Sequence, residues 1–101
     1  MKQHITKEQL WELVGKQDEV LHAWCEKKGY CNKTESIPLL TIGQMIEFLG
    51  EDLYSIVFHN SADTFYYQVS LRGLSFIYNG TSELVNALWE ATKHKLKQKQ
   101  D

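Results

Sequence analysis

Apolar residues from Leu10 onward fall at Leu10, Leu13, Val14, Val20, Leu21 and Trp24, the spacing of a helix with one buried face. Just ahead of them, Thr6-Lys7-Glu8-Gln9 fits the capping-box pattern, in which a hydroxyl and a glutamine side chain satisfy free N–H groups of the first turn. The pattern predicts a first helix from about residue 6 to 28. Gly15 inside it marks close packing or a slight bend, and Gly29 is its natural stop.

Residues 30–38 are polar and turn-rich and contain the only proline, Pro38, which reads as a connector running over the surface. Thr41-Ile42-Gly43-Gln44 repeats the capping box, and Ile42, Met45, Ile46 and Leu49 continue at helical spacing to a stop at Gly50. After Glu51 and Asp52 the period changes from helical to alternating. Three runs rich in β-branched and aromatic residues, 54–59, 64–71 and 74–78, read as an antiparallel meander. His59 to Asp63 forms its first turn and Arg72-Gly73 a tight second one. Asn79 to Glu83 combines a turn with a helix start, and Leu84, Val85, Leu88, Trp89 and Leu96 make a final amphipathic helix. The expected fold is therefore α+β in the order α-α-β-β-β-α, a three-stranded antiparallel sheet with helices packed on one face.

Length and composition fit one small globular domain, residues 1–101, ending in a basic helical tail over 93–101. No apolar run approaches the roughly 20 residues of a membrane-spanning helix, and the first residues lack the apolar stretch of a secretory signal, so the cytosol is the expected compartment. There, Cys25 and Cys31 are expected as free thiols or metal ligands. The net charge of −2 conceals a strong asymmetry. Residues 34–92 hold seven acids against the single Arg72, a net of −6, while residues 93–101 hold four lysines against Asp101, a net of +3. An acidic body disfavours a broad phosphate-binding face and favours a basic partner; the tail from Lys93 to Lys99 is the one place suited to gripping nucleic acid. The ordinary alternative is that these lysines complement the end of a helix dipole.

Candidate chemistry concentrates in one stretch. On a helix His22 and Cys25 share a face, and a reversal at Gly29 would bring Cys31 alongside, giving three ligands for a structural zinc ion. A fourth ligand is not fixed by spacing; His4, His59, His94 and Glu26 are the candidates. The plainer reading is a buried Cys25, a loop thiol at Cys31 and a solvated His22. A catalytic thiol–imidazole pair is the rival use of the same residues, but the chain shows no oxyanion-hole loop and little room for a cleft, so no enzyme is expected. Glu47, Glu51, Asp52 and Asp63 form the second candidate set, either a solvated acidic edge or a contact for basic residues on a protein partner. The sheet aromatics lack the nearby positive charge of a base-stacking platform and read as core and cross-strand pairs.

The segments Leu39 to Asp52, LLTIGQMIEFLGED, and Glu83 to Ala91, ELVNALWEA, resemble small phage- or prophage-encoded proteins of Gram-positive bacteria. They cover about a quarter of the chain and carry no catalytic motif. Small acidic phage proteins of this size include anti-defence inhibitors such as anti-CRISPRs, which bind a host nuclease and block its nucleic acid channel or its conformational change. The resemblance implies a non-catalytic inhibitor in the host bacterial cytosol. Its partner would be a host protein with a basic nucleic-acid-binding surface, such as a CRISPR effector nuclease. The competing expectation is a nucleic-acid accessory protein using the Lys93–Lys99 tail.

Overall fold

In the computed structural model, which describes residues 3–34, 36–62, 65–72, 74–77 and 83–99, the predicted first helix is two helices. The single turn α1, Lys7–Leu10, is closed by the expected box: the Thr6 hydroxyl accepts the Gln9 N–H at 3.1 Å and the Gln9 side chain accepts the Thr6 N–H at 2.9 Å. A turn follows, and α2 runs over Lys16–Lys28. Between them Gly15 sits at φ 57°, ψ −129°, a conformation that a side chain opposes, so the slight bend expected there is a full break. The Gln17 side chain accepts the Val14 N–H at 3.2 Å and fixes the turn. Gln17, Leu21 and Cys25, one turn apart, form the buried stripe of α2. At its end Gly29, with φ 82°, donates to Glu26 O while the Tyr30 N–H returns to Cys25 O, closing the helix as a Schellman motif.

The connector after α2 runs over the surface at Asn32, Lys33, Thr34 and Ser36 as expected, but Cys31 and Ile37 are buried in the core. It is held by a contact that periodicity does not reveal. Ile5 N–H donates to Leu40 O at 2.9 Å and Ile42 N–H to Gln3 O at 3.0 Å, so the extended N-terminal residues pin the approach to α3, Ile42–Leu49. Trp24 packs edge-on against Phe48 at 5.2 Å and tilted against Tyr30 at 5.7 Å, fastening α2 to α3.

A 3₁₀ turn, Gly50–Asp52, leads into β1, Leu53–Asn60, which pairs antiparallel with β2, Phe65–Leu71. The four-residue β3, Leu74–Ile77, pairs with β2 from the other side, Leu71 opposite Leu74. The register of β1 slips between Leu53 and Ser55, leaving Tyr54 as a bulge. Alternation then places Leu53, Ile56, Tyr67, Val69 and Leu71 against the core, and Ser55, Val57, His59, Tyr66 and Gln68 on the opposite face. The last element, α4, Leu84–Lys99, packs on β2 and α3, with Trp89, Val85, Leu88 and Leu96 fully buried. The class is α+β, as expected. Among the described residues no helix is long and apolar enough to cross a membrane.

Candidate functional site

The Schellman turn at Gly29 does bring Cys31 back toward Cys25, and both thiols lie in the core. Burial pushes the Cys25 thiol up to about 11, with neighbouring Cys31 adding to the same effect. At neutral pH Cys25 is therefore a protonated, small apolar group, unsuited to the nucleophile role. His22 stands elsewhere: its Nδ1 is 4.0 Å from the Glu26 carboxylate, and its ring lines a groove with Leu10, Trp11 and Asp18. Among the described residues no group of three or more histidines, cysteines or acids is placed to hold a metal ion. Elemental analysis is expected to give far less than one zinc per chain, and a strong chelator to leave the melting temperature unchanged. Stoichiometric zinc whose removal lowers the melting temperature would establish the metal reading.

Two of the four acidic candidates are engaged within the molecule. Glu47 accepts the Tyr30 hydroxyl at 2.7 Å and lies 3.9 Å from Lys28 Nζ, tying α3 to the end of α2. Asp52 pairs with Lys95 at 3.1 Å, and Glu51 is exposed in the 3₁₀ turn. Asp63 lies outside the described residues, as does most of the predicted turn and helix start over 79–83.

The basic tail is the end of α4, and its first two lysines are structural. Lys95 reaches the carbonyls of Phe48 and Leu49 at the C-terminal end of α3, where a cation offsets the helix dipole, and it lies over the Phe48 ring at 4.8 Å. Lysine does complement a helix end here, but the end belongs to a different helix. Lys93 bridges Glu12 at 2.8 Å and Glu90 at 3.2 Å. That leaves Lys97 as the exposed tail lysine whose side chain is described, and it weakens the case for a phosphate-gripping tail.

The Glu12–Lys93 pair also carries a pH dependence. The Lys93 hydrogen bond holds the Glu12 carboxyl below its usual 4.5 against the opposing effect of burial, and the Trp89 N–H helps at 2.9 Å. A lowered acid contributes stability that is complete above its unfolded value and lost as pH falls through the folded one. Burial, the largest influence on Lys93, pulls that group down, but Glu12 and Glu90 outweigh it, so its contribution is lost only as pH rises past 10.5. From about pH 5 to 3 the melting temperature of the wild type is expected to fall more steeply than that of Glu12→Gln, by a modest margin because Glu12 is half exposed. Parallel melting curves for the two proteins would remove the pair from the acid response.

What the sequence did not reveal is apolar surface left outside. Trp11 is 72% exposed and Val14 66% exposed, both thrown outward by the turn before Gly15 while Leu13 between them is buried. Trp11 borders the groove of about 350 Å³ that holds Asp18 and His22, and Val14 borders another of about 280 Å³ with Glu12, Glu90 and Lys97. A second apolar area lies on the β1–β2 hairpin, where Tyr54, Phe58 and Phe65 are about half exposed or more. No family model, curated protein or solved structure matches this chain.

Proposed function

We propose that this protein acts by non-catalytic binding to another protein, with Trp11 as the anchor. The observation that carries the reading is a tryptophan 72% exposed on a fixed turn that also exposes Val14, with Trp11 bordering one groove and Val14 another. Solvent-facing tryptophan costs hydration in the free protein, and it is the side chain most enriched among residues that dominate interface energies. The carboxylates of Asp18 and Glu12 border the same grooves and suit a basic partner. With the resemblance to small phage proteins, this favours an inhibitor of a host defence nuclease, docked on the basic surface that normally holds nucleic acid. In the test, immobilised wild-type protein and Trp11→Ala are exposed to host lysate and the retained nucleases assayed. A nucleic-acid enzyme held by the wild type, released by the variant and inhibited by added wild-type protein is the expected result. Retention of no such enzyme in a Trp11-dependent way would overturn it.

A further inference from the structure

We propose that two copies of this chain pair antiparallel through β1, joining their sheets across a two-fold axis that passes through Val57. The strand is at the sheet edge, paired on one side by β2, and among the described residues no backbone hydrogen bond from outside the sheet reaches it. Proteins normally blunt such edges with charges, proline, shortness or bulges. The opposite edge, β3, is four residues long, whereas β1 has eight, LYSIVFHN, with no lysine, arginine, acid or proline. Its one protective device is the bulge at Tyr54, near one end, which leaves 55–60 regular.

A second copy is the occupant that this strand favours because a chargeless edge meets no like charge when it faces itself. The axis stands normal to the sheet, so each face of one copy continues the same face of the other, and opposed residues must lie on equivalent faces. Centring on Val57 satisfies this: Ile56 faces Phe58 of the second copy on the core side, twice, and Ser55 faces His59 on the other. Centring on Phe58 would instead set Ile56 against Asn60. Tyr54, Phe58 and Phe65 are 76, 49 and 52% exposed. Phe65 stands on β2, one strand in; at about 200 Å² per ring Tyr54 and Phe58 offer roughly 500 Å² for the pair, and Phe65, Val57 and the two strand edges raise this toward the ~1,000 Å² of a biological interface.

Sedimentation equilibrium of the full chain is expected to give twice 11.8 kDa at high concentration, falling toward 11.8 kDa on dilution. Val57→Lys, which sets two like charges at the axis, is expected to remain monomeric with an unchanged circular dichroism spectrum. Under mild oxidation Val57→Cys is expected to form a disulfide-linked dimer. Ser55→Cys should not, because its mate sits four residues away, about 13 Å along the strand. A monomer at every concentration, a dimer that survives Val57→Lys, or equal cross-linking of the two cysteine variants would overturn the proposal. None of these outcomes involves Trp11, so this pairing and the proposed function fail separately.

Discussion

Trp89→Ala is expected to lower the unfolding free energy by about 3–5 kcal/mol, the usual loss for removing a large aromatic side chain from a core that cannot collapse around the void. Trp89 is the largest side chain in the fully buried set, on the helix α4 that packs against β2 and α3. Its indole N–H is committed as well, donating to Glu12 at 2.9 Å across 77 residues of sequence. A domain of this size holds about 5–15 kcal/mol in total, so the variant should melt on the order of 20 °C lower. Trp89→Phe separates the two contributions. It keeps most of the ring volume and loses the hydrogen bond, and since Lys93 still meets Glu12, a cost of about 1 kcal/mol is expected. Chemical denaturation of the three proteins measures all of this. A Trp89→Ala loss under ~1 kcal/mol would mean that the packing around α4 is not what holds the fold together.

The features legible in the sequence were those encoded locally. Thr6 with Gln9 and Thr41 with Gln44 form their capping boxes as read, because both partners sit within one turn. Gly29 and Gly50 end their helices at positive φ. The break at Gly15 also left a trace: the apolar series jumps six residues from Val14 to Val20, a gap that the three-and-four spacing does not span. Propensity alone could not decide between a bend and a break there, since the deciding contact is Gln17 reaching back to the Val14 N–H.

What sequence reading missed depends on long-range geometry. The pairing of residues 3–5 with 40–42 follows neither period; Leu40 is wholly buried at it, and Ile37 is buried within the stretch that reads as loop. The charges pair over comparable sequence distances. A segment of −6 suggests a free acidic face, yet Asp52 meets Lys95 and Glu47 meets Lys28, pairs 43 and 19 residues apart in sequence. Such bonds restrain α3 between α2 and α4 and leave less field for a partner. His22 and Cys25 share a helix spacing, but His22 lines a groove and Cys25 is wholly buried, a difference in surroundings that spacing on one helix does not show.

Trp11→Ala should leave the fold almost untouched and weaken partner binding by about 30-fold or more. The first half follows from exposure: an outward side chain on a surface turn changes stability by no more than about 0.5 kcal/mol when removed. The second follows from its proposed role as an interface anchor, where truncation typically costs ~2 kcal/mol or more, equivalent to that loss of affinity. Glu51→Gln is the informative comparison, because Glu51 is an exposed member of the acidic set and lies on a different element. If binding is anchored at Trp11, Glu51→Gln should shift affinity less than threefold and act mainly on the association rate at low salt, as rim charges do. Calorimetric titration of the captured nuclease with each variant, at two salt concentrations, resolves the two cases. Full affinity in Trp11→Ala, with a steep salt-dependent loss in Glu51→Gln, would move the binding surface to the acidic edge of α3 and take the anchor role from the turn before Gly15.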